Sequence, residues 1–397
     1  MSVALLCERF ESDENGIKLT AQQLGIDLIY IPFRKIALSI GSGFSAKTKG
    51  KDYTSILDDV LVVLNRTQSK NRRLQASYIM EALGKKTLNS SQIEFMCYSK
   101  LRTLLKLYKE GIAIPKTVFV PCDAVDTLKN GREIHNEKDI ADLFEQDLSF
   151  LEGIVIKADA GTHGKMIMLS KTREELEDNI KKTTPGLINP IGVVAQQLIQ
   201  KWFYDLRIIV SKEQGKEPVC YPIAMVRAGF KDFRTNTFLG NLVFDANLPP
   251  NVQALAVKCG KTLSGDSQAW ILALDAMVNV GENKTADETY LKSQLDLATD
   301  AWAAVQKIKK DETRLTDFQD WNRQLEAQFK TYKSIPAYEN IKNIIEENLQ
   351  TNHSALVFHE ANSCPEFWEN TRLATGLNVA ELVLRGAKSL IDQGDKQ

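Results

Sequence analysis

The chain has 397 residues, 43% hydrophobic and 25% charged, with a formal net charge of -1. That is the composition of a folded protein large enough for two or three packed units. A pI near 6.5 speaks against duplex nucleic acid as a partner, and no apolar run approaches the ~20 residues of a membrane span.

Residues 1–9 meet acidic side chains too early for a signal peptide. Six cysteines without a C-x-x-C pair, and only four histidines, predict reduced thiols in a cytoplasmic protein and no His/Cys zinc site. The apolar run 3–7 and the segment around Ile26, Leu28, Ile29 and Ile31 predict strands. Residues 58–64 end in Val60-Leu61-Val62-Val63-Leu64, a run typical of a strand covered on both faces. Ala76, Ile79, Met80 and Leu83 recur at helical spacing, predicting a helix over 72–83 stopped by Gly84. This region reads as a small α/β unit with a parallel sheet. The basic stretch 66–73 has two readings, a solvated loop with a helix start or a receiver for an acidic substrate or protein tail.

From 99 a helix carrying Leu101, Leu104, Leu105, Leu107 and Tyr108 runs to Gly111. Strands then dominate, at 117–120, 153–157, 165–169, 192–199 and 206–210, with a helix at 173–182. Further strands at 219–227 and 270–278 flank a helix at 251–262. Between 281 and 353 the pattern changes: Leu291, Leu295, Ala298, Trp302, Val305 and Ile308 recur at spacings of three and four, as do Leu315, Phe318, Leu325 and Phe329 with one gap of seven. These are amphipathic helices interrupting a strand-rich region. A strand from Leu356 breaks at Pro365, and 379–392 closes as a helix.

Several residues could carry chemistry. Lys157 ends a strand and precedes Ala158-Asp159-Ala160-Gly161-Thr162-His163-Gly164-Lys165, after which a strand returns. Glycines let backbone N–H groups approach phosphate, and a lysine supplies the countercharge; an ordinary Gly-containing turn is the plainer reading. Asp205 and Arg207 alternate along a strand and so share a face, suited to a ribose hydroxyl pair and a phosphate or carboxylate, or to nothing more than a surface pair. Asp232-Phe233-Arg234-Thr235-Asn236 places a guanidinium beside an amide, as phosphoryl or carboxylate recognition uses. Asp275 lies within the apolar run 271–278, where a carboxylate must be paired, protonated or metal-bound. Glu360 and Asn362 are two apart on a strand and present oxygen donors together, either to a hard cation such as magnesium or to solvent at a strand end.

The order of these parts resembles a family. Lys100, Gly111-x-x-x-Pro115-x-Thr117, Lys157 with the 161–164 loop, 196–199, Asp205-x-Arg207, Phe233-Arg234-x-Asn236, Asp275 and Glu360-x-Asn362-x-x-Pro365 are similar to the motifs of ATP-grasp ligases, most closely the RimK-type alpha-L-glutamate ligases, over roughly 58–278 and 354–390. The resemblance implies an α/β ATP-grasp fold with an N-terminal pre-ATP-grasp domain (1–95), an ATP-grasp N-terminal lobe (96–199) and a C-terminal lobe (200–397) carrying a helical insertion at 281–353. It implies that ATP phosphorylates a carboxylate and that an amine then attacks the acyl phosphate, giving an amide, ADP and phosphate. By the same resemblance Lys100, Lys157, Gly161, His163 and Gly164 contact ATP phosphates, Gln197 and Leu198 form the adenine hinge, and Asp205 binds ribose. Arg207, Arg227, Arg234 and Asn236 line the phosphoryl and carboxylate side. Asp275, Glu360 and Asn362 hold one or two magnesium ions, with manganese as an alternative. The expected partners are ATP, a glutamate-like amino acid or other amine, and a carboxylate on a small molecule, carrier or protein tail.

Three departures accompany the resemblance. The hinge is Gln196-Gln197 where Gln-Glu is usual. Phe238-Leu239-Gly240-Asn241 replaces His-Arg-Gly-Gly, and Glu366, followed by Phe367 and Trp368, replaces the glycine after the proline. The last two lie where the family's substrates sit. The insertion has four readings: a wall of the substrate cleft, a dimer contact, a carrier-protein site, or a packed embellishment. Two other functions remain, a phosphotransferase without an amine step and a nucleotide-binding scaffold.

Overall fold

The computed structural model describes residues 2–121, 136–161, 166–183, 192–235, 237 and 240–392. Four parallel strands form the N-terminal sheet, in the order Leu28–Pro32, Val3–Cys7, Val62–Asn65 and Lys86–Leu88. The expected strand at 58–64 is divided: Thr54–Asp59 is a helix, and the strand begins at Val62. The strand Val62–Asn65 is buried throughout, as its unbroken apolar run requires. The helix after it spans Lys70–Ala82, two residues earlier than its apolar spacing suggests, because the Ser69 side chain caps it through Arg72 N. A three-stranded antiparallel sheet, Ala37–Ile40, Phe44–Thr48 and Lys51–Asp52, lies outside anything expected from the sequence. Its outer strands are largely exposed and short, so no apolar alternation announces them.

A second, antiparallel sheet has the order Ile167–Ser170, Ile154–Lys157, Val193–Gln197, Thr117–Val120. The helices Glu137–Glu145 and Arg173–Lys182 cover it, forming a separate core of residues such as Phe144, Ile156 and Leu176. Lys157 and Ile167 are paired across the expected hairpin, and its tip at 162–165 lies outside the described residues.

The third sheet is antiparallel and has six strands. Its main path is Leu242–Asn247, Ile223–Ala228, Tyr204–Lys212, Trp270–Val278 and Leu356–Asn362, with Val219–Cys220 pairing beside it. Between the last two strands of that path the chain forms four helices, Glu288–Lys309, Thr313–Thr316, Phe318–Lys333 and Pro336–Asn352. The apolar faces of the three long ones meet in an aromatic cluster of Trp302, Phe329, Tyr332 and Tyr338, which packs on Phe244 at the sheet edge. Leu315 of the short helix Thr313–Thr316 is exposed instead. Tyr338 and Lys342 also close on the buried Asp245, at 2.6 and 2.9 Å. The insertion therefore shares one continuous core with the third sheet and the N-terminal unit. No helix among the described residues is long and apolar enough to cross a membrane.

Candidate functional site

The site grows out of strand register. In an antiparallel pair, directly opposed residues project to the same face, and so do residues two apart on one strand. Arg227 opposes Asp205, Arg207 opposes Asp275, and Asp275 opposes Glu360. Five charged side chains from four strands thus stand on one face of the third sheet. A β-bulge inserts His359 between Phe358 and Glu360 in the last of these strands, turning both His359 and Glu360 toward a cleft of about 400 Å³. The hairpin of the second sheet and the start of the helix Lys70–Ala82 line the same cleft through Lys157 and Lys70.

Asp275 finds its partners far away in sequence. Arg207 grips it with two hydrogen bonds of 2.9 Å, and Arg227 lies 3.3 Å away. Burial alone would raise its pKa, but these guanidiniums hold it well below the usual carboxylate range. Glu360 is different. Its oxygen is 3.6 Å from Lys100 Nζ and 3.9 Å from Lys70 Nζ, beyond hydrogen-bond length. Burial pushes it up, yet the two ammonium groups hold it at about 2. Burial, more than any neighbour, lowers Lys157 to about 8 and Lys70 likewise to about 8. His359 falls to about 4 through burial and the charge of Lys157, so its imidazole is neutral.

Lys100 is placed by a cap. Asp159, from the turn after Lys157, accepts from Ser99 Oγ and Leu101 N, both at 2.9 Å, at the start of the helix Lys100–Lys109. Lys100 Nζ then donates to Gly161 O at 2.7 Å, tying the hairpin to the helix. Gln197 and Leu198 border the cleft, but their backbone N–H groups donate to Lys116 O and Gly153 O. The Gln197 side chain turns away to Ser149 and Gly153. Asp205 is buried, bonded to Arg227 at 2.6 Å and to the Thr235 hydroxyl, and Thr235 accepts from Lys201 at 2.7 Å. Arg234 lines the cleft and folds back on Asp232 at 2.8 and 2.9 Å. His163, Gly164 and Asn236 lie outside the described residues.

The basic stretch 66–73 does hold the expected helix start, at Lys70, and Asn71 and Arg72 are exposed, but it is not solvated throughout. Arg66 and Arg73 are buried. Arg66 donates to Asp13 at 2.8 Å and to Pro365 O at 3.1 Å, and Arg73 donates to Glu94 at 2.8 Å. Sequence reading assigned no role to Asp13, Lys70, Asp159, Lys201 or His359, although Lys70 lies in the basic stretch, Asp159 in the Gly-rich turn and His359 beside Glu360.

Asp275, Glu360 and Asn362 supply only oxygen donors or a carboxamide, the set a hard cation prefers. Among the described residues the Glu360 carboxylate has no contact shorter than those to its lysines, which leaves lone pairs for a metal. Among the described residues no group of three His, Cys, Asp or Glu side chains forms a complete metal cluster. Two carboxylates and one amide suit magnesium, which takes its remaining ligands from water and phosphate. The buried, unpartnered Gln196 Oε1 and His359 Nε2 both line the cleft and are available to a ligand's polar groups. The donor set and these orphan atoms fit a metal-bound nucleotide.

Residues 99–284 match the family model described as the RimK-like ATP-grasp domain. The alpha-aminoadipate–LysW ligase LysX of Sulfurisphaera tokodaii is 27% identical over 216 residues, 54% of this chain and 67% of that protein. The ribosomal protein bS6–L-glutamate ligase of Shigella boydii is 27% identical over 191 residues, covering 47% of this chain and 54% of its own. The D-alanine–D-alanine ligase of Bacillus anthracis, solved in complex with ATP, superposes over 100% of this chain and 98% of its own with a TM-score of 0.52 at 12% identity. At that identity the likeness concerns the fold.

Proposed function

We propose that this chain, an ATP-grasp ligase built around a RimK-like domain, phosphorylates a substrate carboxylate with ATP and joins the acyl group to an amine. The products are an amide, ADP and phosphate. The observation that carries this reading is the row Arg227, Asp205, Arg207, Asp275 and Glu360 on one sheet face, opposed by Lys100 and Lys157. Phosphoryl transfer needs positioning and positive charge more than covalent help from the protein. Lys100 and Lys157 neutralise phosphate oxygens as they enter. Asp275, Glu360 and Asn362 hold magnesium, which supplies charge stabilisation at the transferred phosphoryl group. Arg207, already oriented by Asp275, and Arg234 face the incoming carboxylate and the oxygens of the acyl phosphate.

Asp205 acts through its neighbours in this reading. With Arg227 and Thr235 on its carboxylate, it orients Arg227 rather than meeting ribose directly. The amine must reach the acyl phosphate before water does, so the hairpin at 154–170 is expected to close over it. We read 1–95, 96–199 and 200–397 as three units, with 281–353 inserted in the third. The acceptor is a carboxylate on a small molecule, carrier protein or peptide; the relatives' names include LysW and a ribosomal protein.

The test is ADP release from the full chain, scanned over amino acids with a cell extract as the source of acceptors, and mass spectrometry of the product. Amine-dependent ADP release with an amide product is expected. Release that ignores the amine and leaves a phosphorylated product would instead identify a phosphotransferase.

A further inference from the structure

Part of the cleft wall is built by the segment from Pro365 onward. Along it Pro365, Phe367 and Trp368 are buried while Glu366 is exposed, and Glu366 lines the cleft together with Arg207 and Arg234. This exposure does not come from a loose loop. Asp13 accepts from the N–H groups of Phe367 and Trp368 at 3.1 and 2.8 Å, and Arg66 donates twice to Pro365 O at 3.1 Å. From the other side the insertion reaches in: Asn322 accepts from Trp368 Nε1 at 2.8 Å.

The Glu366 carboxylate is itself held. Asn370 donates to its two oxygens at 3.0 and 3.1 Å, and the buried Lys309 of the insertion donates to Asn370 Oδ1. Among the described residues no cation forms an ion pair with Glu366. The nearby Arg66 is committed to Asp13, Glu14 and Pro365. A fixed carboxylate facing a ligand cavity, without an ion pair of its own, repels an anionic substrate and favours a cationic one.

We propose that Glu366 determines specificity for the amine substrate, selecting an amine that carries a second positive charge, and that Lys309 positions it through Asn370. This rests on the ligase reading for there being an amine at all. The carboxylate substrate belongs at Arg207 and Arg234, and the amine must come up beside it to reach the acyl phosphate, where Glu366 lines the same part of the cleft. The charge recognised is a second one because the reacting nitrogen must shed its proton to attack, whereas a spectator ammonium keeps its charge. A hydrogen bond to a charged group changes affinity by about ten- to a hundredfold. The insertion, on this account, sets the substrate wall from behind.

The experiment is calorimetric titration of the full chain, loaded with a non-hydrolysable ATP analogue and magnesium, with L-lysine and with L-norleucine. Norleucine has the same chain length without the terminal ammonium. The wild type is expected to bind lysine at least tenfold tighter. Glu366→Gln should bring the ratio of the two affinities close to one. Lys309→Met should lower it at least threefold, and Lys309→Arg should restore it. Because the readout is a ratio within one variant, general destabilisation lowers both affinities together. Equal affinities in the wild type, no binding of either amino acid, or a lysine preference that survives Glu366→Gln would each overturn the proposal. An unchanged ratio in Lys309→Met overturns the positioning role. Failure of the ligase reading looks different: the lysine preference persists, but no amine stimulates ADP release.

Discussion

Glu360 is the carboxylate at the centre of the site whose charge is balanced by lysines at a distance rather than by a bonded arginine. Removing it leaves Lys70 and Lys100 facing the cleft without their counterion, yet Glu360 makes no hydrogen bond that holds the fold. Glu360→Gln is therefore expected to lower ATP turnover at least a hundredfold, of the order seen when one transition-state stabiliser is lost, with an unchanged circular dichroism spectrum. Turnover within threefold of the wild type would remove Glu360 from the metal assignment. Lys201 gives a pH test away from the metal ligands. Burial lowers it to about 8 from its usual 10.5, against the pull of Asp205. Between those values the unfolded chain holds a proton that the folded chain has released, so this group's contribution to stability rises with pH across that window and is lost as pH falls through about 8. Relative to Lys201→Met, the wild type should gain in urea midpoint between pH 7.5 and 9.5; a constant difference would contradict the shift. Asp275 was legible as a carboxylate that needed a partner, and Glu360 and Asn362 as a donor pair. Their counter-charges were not, because Arg207 is 68 positions from Asp275 and Lys70 meets Glu360 only through the fold.

At the scale of elements, the contact between the N-terminal helix Ser12–Gln23 and the Glu366 wall is unusually close. A Cβ on Gly16 would come within 2.1 Å of the Trp368 ring, and that ring is buried and bonded to Asn322. Gly16→Ala would strengthen the helix by about 1 kcal/mol, but overpacking a closed core costs about 1–3 kcal/mol. The second effect should win, lowering the urea midpoint; a stabilised variant would show that Trp368 has room to move. Asp159→Ala removes the acceptor of Leu101 N at the start of the helix Lys100–Lys109, where Ser99 still caps Arg102 N, and should cost about 1 kcal/mol. It should also weaken nucleotide binding, because Lys100 loses its anchored start; an unchanged nucleotide affinity would separate the cap from the site. Elements with strong apolar patterns, such as Trp270–Val278 and Val379–Asp392, were readable to the residue. The strand Leu242–Asn247 was not, since Asp245 interrupts its apolar run and is satisfied by Lys333, Tyr338 and Lys342 of the insertion. The helix Glu137–Glu145 went unread although Ile140, Ala141 and Phe144 share one face and Asn136 caps its start.

On the scale of the whole molecule, packing divides the chain unequally. The N-terminal sheet, the third sheet and the insertion share one apolar core, whereas the hairpin-bearing sheet has its own, much smaller one. Polar links such as Lys100 to Gly161 and Ser99 to Asp159 join the small sheet to the helix Lys100–Lys109. A unit with a small core of its own opens at lower free energy than the body it sits on. That is what a phosphate-covering element needs if it is to admit ATP and then exclude water. Hydrogen exchange followed by mass spectrometry should accordingly find faster exchange in 154–157 and 167–170 than in 270–278 for the free protein. Adding a non-hydrolysable ATP analogue with magnesium should slow exchange in the first two segments and at 100–109, and leave the insertion helices 318–333 and 336–352 unchanged. Protection spread evenly over the chain would mean that the small sheet is not a separate cooperative unit. Protection confined to the insertion would move the nucleotide away from the Lys157 hairpin altogether.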